Sequence, residues 1–173
     1  YQKYGFDFLN KLNGMFSFCI YDMKKELYFC ARDRYGKKPF FYYFKDKKFI
    51  FSSSIKSILN LLDYKPNLNK VAVSKYMQYF VSFGEDTFYQ DIYKLESATY
   101  MIYEPNKPFE LQKKKYYKIN TYKAIKDEKQ ALNDIEELLI KSVEFRLKSD
   151  VEVASLLSGG IDSSLISALY TKI

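Results

Sequence analysis

An apolar run that ends in two adjacent glycines constrains this chain more than any other stretch. Val151-Glu152-Val153-Ala154-Ser155-Leu156-Leu157 has the composition and length of a buried strand. Ile161, Leu165, Ile166 and Leu169 follow at intervals of three or four, which predicts a helix with one buried face. Ser158-Gly159-Gly160 therefore falls at a strand-to-helix turn. Such a turn suits a phosphate. Glycine lets the backbone approach a ligand closely, the first helical N–H groups lack internal partners, and the helix dipole adds partial positive charge. Ser158, Ser163 and Ser164 add hydroxyls, and Asp162 adds a carboxylate suited to a magnesium ion held against a pyrophosphate.

The loop is not a Walker A loop, which needs G-x-x-x-x-G-K-[ST], and it lacks the G-x-G-x-x-G of a dinucleotide site. Two glycines alone would describe many turns. The full string Ser158-Gly159-Gly160-Ile161-Asp162-Ser163-Ser164 resembles the pyrophosphate loop of the N-type ATP pyrophosphatases, which split ATP between its α and β phosphates.

Composition narrows the remaining chemistry. There is no histidine, so Ser-His-Asp and Cys-His catalysis and histidine-based zinc sites are excluded within the chain. The two cysteines, Cys19 and Cys30, lie in apolar strand-like runs and read as buried free thiols, in keeping with a reducing cytoplasm. A hydrophobic fraction of 47% permits a core, and no apolar run nears the ~20 residues of a membrane span. The start shows no signal peptide and no initiator methionine, so the chain reads as a fragment or a processed product. Net charge is +7, but it comes from scattered lysines with only Arg32, Arg34 and Arg146 beside them, so nucleic acid is not an expected partner. The densest patch, Lys113-Lys114-Lys115-Tyr116-Tyr117-Lys118, suits a strand edge protected by lysine.

Along the chain, residues 1–12 predict a short helix broken at Gly14. Strands are predicted at 15–21 and 27–31 as a hairpin, at 40–44, at 49–51, and lastly at 99–103, stopped by Pro105 and Pro108. Helices are predicted near 55–62 and, capped by Asn69, near 71–81. Asp127 and Gln130 resemble a capping box opening a helix that ends near Asp150, with Ile135, Leu138 or Leu139, Ser142 or Val143, and Arg146 or Leu147 on one face. Four antiparallel strands and a helix point to a layered α+β domain, and helix, strand, glycine loop, helix to the opening of a doubly wound α/β domain.

Three segments together resemble the glutamine-hydrolysing asparagine synthetases. Leu12-Asn13-Gly14-Met15-Phe16-Ser17-Phe18 is similar to the family's LxGMFAF strand. Arg32-Asp33-Arg34-Tyr35-Gly36-Lys37-Lys38-Pro39-Phe40-Phe41-Tyr42 is similar to its RDxxGxKPLYY. The glycine loop is the third. The family's SE-I-K-A-L stands here as Ser53-Ser54-Ile55-Lys56-Ser57-Ile58, and its P-P-G-x-Y-L as Glu96-Ser97-Ala98-Thr99-Tyr100-Met101. Arg34-Tyr35 departs from the usual pairing in the second segment.

The resemblance implies the C-terminal part of a class II amidotransferase antiparallel sandwich over 1–118, a linker over 119–126, and the start of an ATP pyrophosphatase domain over 127–173. It implies that Leu157, Ser158, Gly159, Gly160, Asp162, Ser163 and Ser164 bind ATP, with Asp162 toward Mg²⁺. Residues matching Met15 and Arg32 lie near the family's ammonia path, although a core methionine and a paired arginine explain them equally well. No catalytic residue is expected here: the family's nucleophile is an N-terminal cysteine, residue 1 is tyrosine, and neither Cys19 nor Cys30 matches it. The substrates implied are aspartate, glutamine and ATP in a cytoplasmic enzyme, with a homodimer kept open. A related amidotransferase acting on a sugar acid or secondary metabolite, or a non-catalytic remnant, are the other readings. Residues 126–173 are expected to be loosely ordered alone, since a single parallel strand has no sheet to join.

Overall fold

A computed structural model describes residues 1–107, 110–120 and 127–173. The chain forms two compact units, Tyr1–Ile119 and Asn120–Ile173.

The N-terminal unit is built from two antiparallel sheets. The first has the order β1 (Ser17–Asp22), β2 (Leu27–Arg32), β6 (Thr99–Tyr103), β7 (Leu111–Lys115). The second has the order β4 (Lys48–Ser52), β3 (Phe41–Lys45), β5 (Ile92–Lys94). The alternation of side chains along each strand sorts residues onto two faces. Cys30 and Met101 of the first sheet and Tyr42 of the second point into a shared core with Phe40 and Leu95. The opposite face of the first sheet, with Leu27, Phe29 and Ala31, is covered by Leu9 of a 3-10 helix, Gly5–Lys11. The opposite face of the second sheet, with Tyr43 and Ile92, is covered by Ile58 of α1 (Ile55–Asn60). The result is a sandwich with a helical segment on each outer face.

Aromatic residues fill these layers. Phe29 is fully buried and meets the rings of Phe6 at 4.7 Å, Tyr100 at 5.4 Å and Tyr1 at 5.6 Å. The β3–β4 hairpin turns on two residues, Asp46 and Lys47, at φ 49° and 63°, as the twist of a two-residue turn requires. Asn69 caps α2 (Lys70–Tyr79) as its sequence position predicts, its side chain accepting from the Ala72 N–H at 3.1 Å.

Several expectations change. The 99–103 strand is not the last, because β7 follows and pairs with it from Thr99↔Lys115 to Tyr103↔Leu111. β5 was also not foreseen. The four early strands divide between the two sheets, since β2 takes β6 and β3 takes β5 as second neighbours. Of the lysine patch, Lys113, Lys114 and Lys115 lie on the edge strand β7, and Tyr116, Tyr117 and Lys118 follow it. Pro108 and most of the 119–126 linker lie outside the described residues.

In the C-terminal unit α3 (Glu128–Leu147) stops three residues short of Asp150. Asp127 accepts from the Lys129 and Gln130 N–H groups at 3.0 and 3.3 Å. The reciprocal half of a capping box does not form, because the Gln130 side chain donates to Asp134 at 2.7 Å. Of the expected apolar face only Val143 is buried; Ile135 and Leu138 are exposed. The strand expected at 151–157 is absent. Val151, Leu156 and Leu157 are 75%, 93% and 66% exposed, and no described strand of this unit offers them a ladder. α4 (Ile161–Lys172) forms where predicted but buries Leu169 alone of its apolar residues, while Ile161, Leu165 and Ile166 stay exposed.

Candidate functional site

The glycine loop and the start of α4 form the candidate site. Gly159 takes φ +82°, a left-handed conformation that a side chain disfavours, and this turns the chain out of 151–158. Gly160 is the N-cap of α4, with φ −78° and ψ 160°, and its carbonyl accepts the first helical bond from the Ser164 N–H at 3.0 Å. No side chain caps this helix. Its first N–H groups therefore face outward without the partner that a serine or aspartate cap would supply.

The loop serines bind one another. Ser158 Oγ and Ser163 Oγ are 2.9 Å apart, and Ser163 Oγ also donates to the Gly160 carbonyl at 3.0 Å. Two further contacts tie the preceding segment to α4: Ser155 Oγ to Ser167 Oγ at 2.7 Å, and the Tyr170 hydroxyl donating to the Val153 carbonyl at 2.6 Å. Sequence reasoning missed Ser155, Ser167 and Tyr170, whose roles depend on how the segment folds back on the helix.

A cavity of about 610 Å³ opens beside this loop, between α3, the 153–156 segment and α4. That volume lies within the range of small-molecule sites. Asp162 and Ser163 line it, with Arg146 of α3 contributing a cation. Of the other predicted loop residues, Leu157, Ser158, Gly159, Gly160 and Ser164 are outside its lining. Among the described residues no group of three or more acidic, cysteine or histidine side chains gathers to hold a metal. Asp162 lines the cavity as a single carboxylate, which could hold a magnesium ion only together with phosphate oxygens and water.

The other predicted residues lie in the N-terminal unit. Arg32 and Asp33 are almost fully buried, and both are consumed by backbone. The Arg32 guanidinium donates to the carbonyls of Lys38 at 2.7 Å, Leu95 at 2.6 Å and Gly36 at 2.6 Å. At Gly36, φ is +64°, which strains any side chain, and a Cβ there would stand a tight 3.1 Å from Arg32 Cζ and 3.2 Å from Ser97 Cβ. Asp33 accepts from the N–H groups of Phe16, Tyr35, Lys37 and Lys38 at 3.0–3.3 Å. Burial pushes its pKa up, and the four N–H bonds more than offset this, so the carboxyl sits below its ordinary value. Asp33 was missed as anything but a charged loop residue. Met15 is 53% exposed and precedes the Phe16 peptide that Asp33 holds.

The N-terminal unit is a layered antiparallel sandwich, and the C-terminal unit carries a glycine loop at a helix start. Residues 1–117 match the family described as the glutamine amidotransferase domain, and 134–173 match that described as asparagine synthase. The chain belongs to the glutamine amidotransferase domain family, and its two matches follow each other in one chain as the resemblance to glutamine-hydrolysing asparagine synthetases implies. A Methanocaldococcus jannaschii protein named for that synthetase is 42% identical over 96% of this chain and 32% of its own length. A Bacillus subtilis asparagine synthetase (glutamine-hydrolysing) is 32% identical over 98% of this chain and 27% of its own. Amidase chry2 of Gibberella zeae is 31% identical over 100% of this chain and 26% of its own. The chain thus spans about a third or less of the length of these relatives.

Proposed function

We propose that this chain is a section of an ATP-dependent asparagine synthetase that makes asparagine from aspartate and glutamine-derived ammonia. The supporting observation is that an amidotransferase match and an asparagine synthase match occur in order in 173 residues. On this reading residues 1–118 belong to the glutaminase half, 119–126 link, and 127–173 begin an ATP pyrophosphatase domain. The cytoplasm is the proposed setting; no described helix is long and apolar enough to cross a membrane.

Each loop residue has a proposed task. The uncapped N–H groups at the start of α4 and the hydroxyls of Ser158, Ser163 and Ser164 bind the phosphates of ATP. Ser158 and Ser163 must give up their mutual bond to do so. Gly159 and Gly160 keep the backbone close, and the Leu157 backbone meets the nucleotide. Asp162 holds Mg²⁺, which when bound offsets charge on the pyrophosphate. Aspartate would be activated as an adenylate, and ammonia would displace AMP from it. Met15 and Arg32 are proposed to border the ammonia path. Because its three described bonds go to backbone carbonyls, Arg32 would act there by holding the 32–39 loop in shape.

The test uses the full natural polypeptide with glutamine, aspartate and ATP–Mg²⁺. AMP, pyrophosphate and asparagine forming in equal amounts is the expected result. Absence of AMP and pyrophosphate with aspartate overturns the asparagine assignment, and an acceptor screen would then separate another amidotransferase from an inactive remnant.

A further inference from the structure

Cys19 and Cys30 face each other directly across the β1–β2 hairpin. The kind of pairing follows from the ladder. The Asp33 N–H donates to the Phe16 carbonyl at 2.8 Å, which makes 16/33 a hydrogen-bonded pair. Hydrogen-bonded and non-hydrogen-bonded pairs alternate, so 19/30, three steps along, is a non-hydrogen-bonded pair. In such pairs the Cα atoms lie about 4.5 Å apart and the side chains approach most closely, within the window a disulfide spans. Both side chains turn to the same face, into the core between the sheets. Cys30 is completely buried, whereas Cys19, on the edge strand, is partly accessible.

We infer that Cys19 and Cys30 form a reversible disulfide across the hairpin, closed by exchange with low-molecular-weight disulfides and opened by the corresponding thiols.

The two thiols have different parts. The Cys30 thiol hydrogen-bonds to Cys19 and draws the Cys19 pKa down, while the same contact and burial push Cys30 up. Cys19 is the entering thiolate because it is the accessible thiol of the pair, while Cys30 is enclosed. Its sulfur attacks one sulfur of the external disulfide, that S–S bond breaks, and one thiolate leaves. Cys30 then gives up its proton, and its sulfur attacks the Cys19 sulfur, expelling the second thiolate. Two protein thiols are oxidised, one external disulfide is reduced to two thiols, and both protons pass to the departing thiolates. The reduced pair is a core contact; the oxidised pair staples the edge strand that follows Met15.

The test is a glutathione redox titration of the protein at fixed pH, quenched by alkylation and read by intact mass. Both thiols should disappear in a single step, leaving a monomer lighter by two hydrogens without a glutathione adduct, and reduced glutathione should restore them. Cys30→Ala should stop at a glutathione adduct on Cys19. Both thiols remaining free at the most oxidising ratio, or wild-type oxidation ending in an adduct or an intermolecular dimer, overturns the inference. An unmodified Cys19 in Cys30→Ala overturns the order of attack.

Discussion

The two units contain similarly apolar segments and treat them in opposite ways. In the N-terminal unit the β2 run Leu27–Arg32 is buried almost throughout, because a second sheet covers one face and the 3-10 helix the other. In the C-terminal unit the run 151–157 remains exposed, although it is as strand-like in composition. Only Val143 and Leu169 are buried there among the described hydrophobic residues. The difference shows that apolarity creates a demand for cover but does not supply the layer that meets it.

Amide exchange tests that contrast most strongly. Amides of β2 and β6 should exchange at least roughly a thousandfold more slowly than those of 151–173, since the former open only with the whole sandwich. Equal protection in the two regions would erase the distinction. Side-chain truncation should follow the same line. Phe29→Ala removes a fully buried ring from an aromatic cluster and should cost about 3–5 kcal/mol in urea denaturation. Leu169→Ala, in a unit where Val143 is the other buried hydrophobic among the described residues, should cost about 2 kcal/mol, at the low end of the range for buried leucines.

Asp33 sharpens the comparison through pH. Its folded pKa lies below its unfolded one. The stability it contributes is therefore complete above the unfolded value and is lost as pH falls through the folded value. Asp33→Asn should cost about 1–3 kcal/mol at neutral pH and flatten the acid limb of the stability curve. An unchanged acid limb would remove Asp33 from that account. No comparable carboxylate is buried among the described residues of the C-terminal unit.

The smallest expected effect is at Ala98. It holds φ +55° at the position where the family pattern P-P-G-x-Y-L has glycine, and its N–H donates to the Asp33 carbonyl at 2.9 Å. Ala98→Gly should raise stability by ~0.5–1 kcal/mol, as relief of the left-handed strain outweighs the added freedom of the unfolded chain. A lower thermal midpoint would show that the added freedom outweighs the relieved strain.

The early elements were legible because they are local. The β1–β2 and β3–β4 hairpins, the Asn69 cap and the start of α4 each follow from residues close in sequence. β5 and β7 were not legible, since Ile92–Lys94 is three residues long and Leu111–Lys115 is mostly lysine and glutamine. What makes them strands is β3 and β6, which lie elsewhere in the chain. The 151–157 run misleads for the converse reason: its composition is that of a strand, but a strand requires a neighbour. At the candidate site the glycine loop stood out by its string of residues, while Ser155, Ser167 and Tyr170 depended on the fold-back. Asp33 was hidden because a buried carboxylate and a solvated one are the same letter.

The Arg32–Asp33 pair also bears on the order of folding. Its bonds reach from Phe16 to Leu95 and Ala98, so the 32–39 loop takes its shape only when β1, β2 and the approach to β6 are already assembled. Residues that close such distant contacts pay their loop entropy late. In a chevron analysis Asp33→Asn should therefore speed unfolding and leave the refolding limb nearly unmoved, whereas Phe29→Ala should slow refolding. The most charged loop of the N-terminal unit would then act as the latch of its native state, fastened after the sandwich has formed and the first part to release.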